Sequence, residues 1–328
     1  MAAMIYIGKF SMIKKIILAF LLFVLPSLAF ASSFLEFDEE TFVIDMLWNK
    51  IIRLPDEQRP KVALVLGGGG ARGFAHIGVF RVLEEEKIPI DLVVGTSIGS
   101  IAGAFYCAGI SMDEVEKLAK DINWKTISNI SAPSIVSMLL SEQLLSNVQV
   151  ENFLKKHIGD LRFEQLKIPL VCVATDLNTG ERVLLREGSV AFAARASSTL
   201  PGFFQPVEYR QRYLIDGGIS ENVPVGVAKL FAPDIIIAVP VPADITKHAT
   251  ANVFAILMQA IYIQGRTLDR EHIAAADVVI RPDVGEMSTG DLKNAYNTID
   301  KGFSAAKDGL KSIKMAVIEK TQEKYKFE

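Results

Sequence analysis

The sequence predicts an α/β fold with a mostly parallel central sheet that is covered by helices on both faces. From Lys61 onward, short apolar segments alternate with stretches of helical periodicity. The first of these segments, Val62–Leu66, is apolar at every position, which is typical of a strand buried on both faces. Glycine-rich turns separate the first two strands from the helices that follow them. This regular alternation favours a layered α/β domain.

The individual elements follow in chain order. Strands are predicted at Val62–Leu66, Ile90–Val94, Leu170–Ala174, Tyr213–Ile215, Ile235–Val239 and Val278–Ile280. Helices are predicted near 74–86, 101–108, 112–121, 146–157, 223–231, 252–274 and 291–315. The segment Asn123–Ser141 is rich in Ser and Ile without a clear period, so it is predicted to be a surface loop or, alternatively, a lid over a site.

The first 31 residues have the layout of a secretory signal peptide. Three lysines precede an unbroken apolar run, Ile16–Leu25, and small residues at Ala29 and Ala31 suit a signal peptidase. We therefore expect cleavage after Ala31 and an exported protein that is periplasmic, secreted or peripherally bound to a membrane. An uncleaved anchor stays an alternative, although the run is shorter than the about 20 apolar residues that span a bilayer.

The mature chain is predicted to have three parts. Residues 32–60 form a leader whose apolar side chains between Phe42 and Ile52 recur at helical spacing. This stripe is expected to pack on the core, with membrane contact as the alternative. Residues 61–285 are predicted to be the catalytic domain, and 286–328 a helical extension that packs on it.

Composition excludes several classes of protein. Half of the residues are hydrophobic and 22% are charged, which excludes a disordered chain. The net charge of -3 provides no basic field for nucleic acid, so no nucleic-acid partner is expected. Cys107 and Cys172 both lie in apolar segments and are predicted to be buried free thiols, although an exported protein could pair them.

A G-x-S-x-G turn, Gly95–Gly99, lies directly between a predicted strand and a helix. In a strand-to-helix elbow, the central serine is held in strained dihedrals with its hydroxyl outward. Gly95 and Gly99 are needed because side chains there would clash with the closely approaching chain. Ser97 is therefore the candidate nucleophile, and an ordinary turn that caps the helix is the alternative.

A second glycine-rich turn, Gly67–Gly73, also connects a strand to a helix. Backbone amides in such a loop point into a common concavity that could hold an oxyanion or a phosphate. Gly68, Gly70 and Gly73 match the G-x-G-x-x-G spacing of dinucleotide sites. That fingerprint needs an acidic residue at the end of the second strand. The elbow with Ser97 occupies that place, so no nucleotide partner is expected.

Asp216 is the candidate base for Ser97. It follows a predicted strand and precedes Gly217 and Gly218, so its carboxylate could face the crevice where open α/β sheets bind ligands. A turn aspartate that caps its own loop is the alternative.

The histidines and metal-ligand patterns add little. His248 lies in a polar loop and is the one histidine placed for a triad. No histidine carries a motif, so a Ser-Asp dyad fits better, with His248 as the alternative base. His76 is predicted to be a hydrogen-bonded structural residue. The sequence contains no metal-ligand motif, and neither a metal nor a cofactor is expected.

Together these motifs resemble the patatin-like phospholipase family of bacterial type. Leu66–Gly73 is similar to the family's oxyanion loop, Gly95–Gly99 to its nucleophile elbow, and Asp216–Gly218 to its aspartate motif. Two further stretches, Ala196–Pro201 and Asn222–Pro224, look like those of bacterial members. The resemblance covers about two thirds of the chain. Many plant members carry Asp where Leu66 stands here.

The resemblance implies a patatin-type three-layer sandwich and a Ser-Asp lipid acyl hydrolase. It implies that Asp216 takes the proton of Ser97, which attacks an ester to form an acyl-enzyme. It implies an oxyanion hole built by the amides of Gly68, Gly69 and Gly70, in which Arg72 orients the loop or meets a phosphate.

The implied substrate is a phospholipid or lysophospholipid, met at a membrane surface. Two other functions stay open: a lipid-binding protein whose dyad is silent, and a small-ester carboxylesterase.

Overall fold

The computed structural model describes residues 39–122, 144–242, 244 and 253–325. The predicted signal peptide, the segment 123–141 and His248 lie outside the described residues. The chain divides into Met1–Val43, of which only the start of one helix is described, and Ile44–Glu328, which contains the rest of that helix and the other elements below.

Eight strands of the described residues form one mixed sheet. They are β1 (Val62–Leu66), β2 (Leu92–Thr96), β3 (Leu170–Asp176), β4 (Arg182–Leu185), β5 (Val207–Tyr209), β6 (Arg212–Asp216), β7 (Ile235–Val239) and β8 (Val278–Val279). The strand order is β5-β6-β3-β2-β1-β7-β8, with β4 also paired to β3. The five strands β3, β2, β1, β7 and β8 run parallel, whereas β4, β5 and β6 pair antiparallel.

Ten α-helices of the described residues surround the sheet. They are α1 (Glu39–Ile51), α2 (Ala75–Glu85), α3 (Ile98–Ala108), α4 (Met112–Asp121), α5 (Val148–Ile158), α6 (Val190–Ser197), α7 (Gly218–Glu221), α8 (Val225–Lys229), α9 (Val253–Ile273) and α10 (Thr298–Tyr325). The last predicted helix, near 291–315, is wrong at both ends because α10 begins later and runs ten residues further.

The central strands are buried on both faces, which confirms the predicted α/β sandwich. Every residue of β1 is buried, but alternate residues belong to different apolar clusters. Val62, Leu64 and Leu66 pack with side chains of α2, α3 and α10. Ala63 and Val65 pack with side chains of α8 and the end of α9. Because strand side chains alternate in direction, the sheet is the middle layer of three.

Helix α10 packs closely on α2 through two glycines. A Cβ at Gly302 would lie 1.9 Å from the carbonyl oxygen of Ala75, and one at Gly78 would lie 2.0 Å from that of Ile299. The helices therefore meet backbone to backbone. The leader helix also packs on this face, because the indole nitrogen of Trp48 donates to the carbonyl oxygen of Glu86 at 3.1 Å.

The ends of β2 and β6 meet at one position beside β3. Cys172 and Val173 pair with β2 on one side and with β4 on the other. Ala174 pairs with β4 and with Asp216 of β6. Strand β6 therefore lies on the same side of β3 as β2, just beyond the end of β2, and runs in the opposite direction. Their carboxyl ends face each other, so the residue after Thr96 lies next to Asp216.

Candidate active site

Ser97 sits on a strained elbow between β2 and α3. Its φ is +55° and its ψ is −124°, a conformation that side chains rarely adopt. The flanking glycines make this turn possible. A Cβ at Gly95 would lie 2.6 Å from the backbone of Gly99, and one at Gly99 would lie 2.3 Å from the carbonyl oxygen of Leu66. The hydroxyl of Ser97 is thus presented at the first turn of a helix, where the backbone dipole is positive.

The hydroxyl of Ser97 donates to the carboxylate of Asp216. The distance from Ser97 Oγ to Asp216 Oδ2 is 2.6 Å. The other carboxylate oxygen, Oδ1, accepts from the amide of Gly218 at 2.8 Å. Burial raises the pKa of Asp216 from its usual 3.8 to about 6, although both hydrogen bonds oppose this shift. The carboxylate is therefore a stronger base than an exposed aspartate, yet it is ionised at neutral pH.

The backbone of Asp216 is fixed on three sides. Its amide donates to the carbonyl oxygen of Thr199 at 2.8 Å, and its carbonyl oxygen accepts from the hydroxyl of Thr175 at 3.0 Å. The residue that follows must be glycine, because a Cβ at Gly217 would lie 2.1 Å from the carbonyl oxygen of Val173. These contacts leave the carboxylate little freedom to turn away from the serine.

Two buried serines, Ser197 and Ser100, hold the elbow through hydrogen bonds. Ser197 Oγ accepts from the amide of Ser97 at 3.0 Å and donates to the carbonyl oxygen of Val173. Ser100 Oγ lies 2.8 Å from Ser197 Oγ and donates to the carbonyl oxygen of Gly95. The hydroxyl at Ser197 explains why the Ala196–Pro201 stretch borders the site: it ties α6 to both β3 and the nucleophile turn.

The glycine loop lies against Ser97, and two of its amides are already used. The amide of Gly67 donates to the carbonyl oxygen of Val239, and that of Gly68 donates to Asn222, both at 3.1 Å. Gly68 therefore departs from the expected set of oxyanion donors. Among the described residues, the amides of Gly69 and Gly70 take part in no hydrogen bond. These two amides are the ones available to a ligand.

Two side chains hold this loop from behind. His76 is buried, and its Nε2 lies 2.9 Å from the carbonyl oxygen of Gly67. Burial lowers the pKa of His76 to about 4, so the ring is neutral and donates this bond. Arg72 is also buried and donates to the carbonyl oxygens of Val241 and Met287, each at 3.1 Å. Its guanidinium thus orients the loop, one of the two roles expected for it.

The dyad and the glycine loop open into a cavity of about 590 Å³. The part of the lining from α3 and α5 is apolar and comprises Ile98, Ile101, Val150 and Phe153. Helix α9 and the segment after β8 contribute the charged side chains Arg266, Asp269, Arg270 and Arg281. A long apolar chain and a polar group can therefore be accommodated in one cavity with the serine.

Within the described ranges, no group of three or more His, Cys, Asp or Glu side chains could hold a metal ion. Cys107 and Cys172 are buried and unpaired, and burial raises the pKa of the Cys172 thiol to about 12. Among the described helices, none is both long and apolar enough to cross a membrane.

One residue of the site, Asp269, carries no sequence motif. Asp269 of α9 accepts from the side-chain amide of Asn222 at 3.2 Å and from the backbone amide of Val223 at 3.1 Å. Asn222 in turn accepts the amide of Gly68. A single acidic residue in a long helix has no motif, so its link to the glycine loop becomes evident only from the fold.

Comparison with known proteins identifies the family. The sequence model described as patatin-like phospholipase matches residues 64–229, which is about half of the chain and includes the glycine loop, the elbow and the aspartate motif. The chain belongs to the patatin-like phospholipase family. The match therefore confirms the resemblance expected from Leu66–Gly73, Gly95–Gly99 and Asp216–Gly218.

Several known proteins are similar to this chain in sequence. An uncharacterised NTE family protein of Mycobacterium bovis is 38% identical over 190 residues, which cover 57% of this chain and 51% of the relative. Patatin-like phospholipase domain-containing protein 6 of Homo sapiens is 34% identical over 183 residues, covering 55% of this chain and 13% of the relative. The alignments thus span about half of the first relative and a small part of the second.

The chain also aligns with two solved structures. VipD from Legionella pneumophila aligns with a TM-score of 0.47 at 15% identity, covering 77% of this chain and 67% of that one. Human GIVD cytosolic phospholipase A2, in complex with a fluorophosphonate inhibitor, aligns with a TM-score of 0.49 at 10% identity, covering 88% and 63%.

Proposed function

We propose that the protein is a serine acyl hydrolase that cleaves fatty-acyl esters of phospholipids or lysophospholipids through Ser97 and Asp216. The observation that carries this proposal is the 2.6 Å hydrogen bond between Ser97 Oγ and Asp216 Oδ2. A nucleophile within hydrogen-bond reach of its base is the arrangement that covalent catalysis requires. The family match supports a lipid substrate.

Acylation begins when the carboxylate of Asp216 takes the hydroxyl proton of Ser97. The serine oxygen attacks the ester carbonyl carbon, and the carbonyl oxygen becomes an oxyanion. The amides of Gly69 and Gly70 are placed to donate to it, since neither has another partner among the described residues. The intermediate collapses when Asp216 returns the proton to the leaving alcohol, so that the acyl group stays on Ser97.

Deacylation repeats these steps with water. Asp216 takes a proton from water, the hydroxide attacks the acyl carbonyl carbon, and the same two amides hold the second oxyanion. The ester bond to Ser97 then breaks, the serine recovers its proton, and a free fatty acid leaves. One carboxylate thus serves as base and acid in both halves of the reaction.

The lining of the cavity favours a lipid over a small soluble ester. The apolar side chains of α3 and α5 lie beside Ser97, where an acyl chain could be buried. Helix α9, which lines the same cavity, also exposes Ile256, Ile263 and Leu268 to solvent. A surface that meets a membrane needs exposed apolar side chains, and these three lie on the helix that lines the cavity. We therefore propose that the reaction takes place at a lipid surface.

The test uses the variants Ser97→Ala and Asp216→Asn, with Ser312→Ala on the exposed surface of α10 as the matched control. We expect fatty-acid release from phospholipid or lysophospholipid micelles to fall at least about a thousandfold in the first two variants and to be unchanged in the third. A fluorophosphonate probe should label Ser97 in the wild type and in Ser312→Ala. Normal release by either dyad variant would contradict the mechanism.

The same experiment separates the two other functions. Folded wild-type protein that binds lipid but takes no fluorophosphonate label would be a binding protein with a silent dyad. Equal rates on monomeric and micellar esters would indicate a small-ester carboxylesterase, because a lipid hydrolase gains from an aggregated substrate.

We propose further that the protein is exported, on the basis of the pattern in residues 1–31 alone. Expression of the full chain in a bacterium with a secretory pathway should yield a product that begins at Ser32 by mass spectrometry. A product that retains Ile16–Leu25 would contradict cleavage.

A further inference from the structure

Three arginines of the cavity lining have no ion-pair partner among the described residues. Arg266 and Arg270 lie one turn apart on α9, and Arg281 follows β8. In the part of the chain that the structure describes, none of the three guanidinium groups makes an ion pair or a side-chain hydrogen bond. Elsewhere in the described chain, some exposed arginines, such as Arg182 and Arg212, are paired with acids, whereas Arg53 is not.

The acidic side chains of the same lining make their contacts with groups other than these arginines. Asp216 is bound to Ser97 and Gly218. Both carboxylate oxygens of Asp269 accept hydrogen bonds, from Asn222 and Val223. Asp244, the remaining acid of the lining, also has an interaction partner. Among the described residues, no acid of the lining forms an ion pair with these arginines, so their guanidinium donors are available to a ligand.

We propose that Arg266, Arg270 and Arg281 bind the phosphate of an anionic phospholipid head group while the scissile ester lies at Ser97. Guanidinium groups bind phosphate oxygens with paired hydrogen bonds, and several of them in one cavity suit a group with more than one negative charge. The inference rests on the proposed function, because it assigns the polar end of the substrate that the dyad would cleave. It adds a preference for anionic over zwitterionic or uncharged lipids.

The test compares wild type with the triple variant Arg266→Gln, Arg270→Gln, Arg281→Gln. The matched control is Arg53→Gln, since Arg53 is also exposed and unpaired among the described residues but lies outside the cavity. Substrates with identical acyl chains are presented at equal mole fraction in mixed micelles: phosphatidic acid, phosphatidylcholine and diacylglycerol. All three proteins are also assayed with inorganic phosphate as an inhibitor.

We expect the triple variant to lose about tenfold in kcat/KM on phosphatidic acid, mainly through KM, because the arginines are exposed and each contributes modestly. On diacylglycerol it should stay within about twofold of wild type, and Arg53→Gln should match wild type on every substrate. An equal loss on all three lipids would overturn the inference. Inhibition by millimolar inorganic phosphate that the triple variant lacks would show a site for free phosphate and overturn the head-group assignment.

A binding measurement separates this inference from the proposed function. Ser97→Ala protein, with and without the three Arg→Gln substitutions, is floated with two kinds of vesicle. One contains phosphatidylcholine alone, and the other contains phosphatidylcholine and phosphatidic acid. If more protein floats with vesicles that contain phosphatidic acid, and the Arg→Gln substitutions abolish this gain, the result supports the subsite even if wild type hydrolyses nothing. Recovery that is independent of the arginines overturns the subsite, even if the dyad is active.

Discussion

The backbone amide of Gly68 donates to the carbonyl oxygen of Asn222 at 3.1 Å, although Gly68 lies beside the serine. The bond joins the glycine loop to the segment after α7 and removes one amide from the set that could hold an oxyanion. A Cβ at Gly68 would lie 2.6 Å from Asn222 Oδ1 and 3.1 Å from Ser97 Cβ. Gly68 is thus required for close packing, whereas Gly69 and Gly70 carry the available amides.

Gly70→Ala should therefore lower kcat without changing the dyad. Gly70 has a φ of +56°, and a Cβ there would lie 2.4 Å from the carbonyl oxygen of Thr289, so the loop must shift. Displacing an oxyanion donor typically costs about 10²–10³ in rate. Steady-state kinetics on a micellar substrate measure the loss.

The control is Gly180→Ala, because Gly180 has a φ of +75° and nothing within 4 Å of its Cβ position. It imposes the same backbone strain without a clash, and its activity should equal that of wild type. Equal losses in the two variants would mean that strain alone, and not the oxyanion loop, lowers the rate.

Asp216 should set the acidic limit of activity. Its pKa is raised to about 6 by burial, and only the ionised form can take the proton of Ser97. The kcat/KM should therefore fall about tenfold for each pH unit below 6 and level off above it. A pH profile on an uncharged ester measures this limit without titrating the substrate. A limit near 4 would mean that burial does not raise the pKa of the base.

The same burial should make Asp216 costly for stability. In the unfolded chain its carboxyl titrates near 3.8, whereas in the native state it titrates near 6. The native state therefore binds this proton more tightly, and the stabilisation present below pH 3.8 is lost as the pH rises through 6. At pH 8, the unfolding free energy of Asp216→Asn should exceed that of wild type by about 1–3 kcal/mol, as measured by chemical denaturation. The difference should vanish near pH 3.5, and a less stable variant at pH 8 would contradict it.

Contact between α2 and α10 should depend on Gly302. The Cβ of Gly302→Ala would lie 1.9 Å from the carbonyl oxygen of Ala75, so the helices must separate. We expect a loss of about 3 kcal/mol in unfolding free energy. Gly309→Ala is the control on the same helix, since its Cβ would lie 3.6 Å from Ile280 and should stabilise the helix by up to about 1 kcal/mol. Chemical denaturation measures both, and equal effects would contradict the close contact.

The sequence could predict the parallel part of the fold because its strands are apolar at every position. β1 and β7 lie where expected, at Val62–Leu66 and Ile235–Val239. The antiparallel strands β4 and β5 were missed because they are short and only partly buried, so they lack an apolar run. Helix α6 was missed because its alanines give no clear period.

For the site, the sequence could indicate which residues carry chemistry. It could not indicate how the strands bring them together or which backbone amides are already hydrogen-bonded. Ser97 and Asp216 follow strands and stand in glycine-rich turns, which is a local signal. The meeting of β2 and β6 end to end is a consequence of strand register across β3, which no local pattern encodes. The bond from Gly68 to Asn222 and the role of Asp269 likewise join segments far apart in the chain.

Asp269 should act as a positioning residue for the glycine loop. It holds the side chain of Asn222 and the amide of Val223, and Asn222 holds the amide of Gly68. Asp269→Ala removes both bonds, so the loop loses its support from α9. We expect kcat to fall about tenfold with little change in KM, since a small displacement of oxyanion donors affects the transition state more than the bound lipid.

The decrease should be the same on phosphatidic acid and diacylglycerol, because Asp269 acts through the loop and not on the head group. Asp269→Asn keeps one oxygen as an acceptor for the amide of Val223 and should recover part of the rate. Glu271→Ala, an exposed acidic residue two positions further along α9, is the matched control and should leave kcat unchanged. A change confined to KM on phosphatidic acid would place Asp269 with the arginines instead, because it would then act on the phosphate and not on the loop.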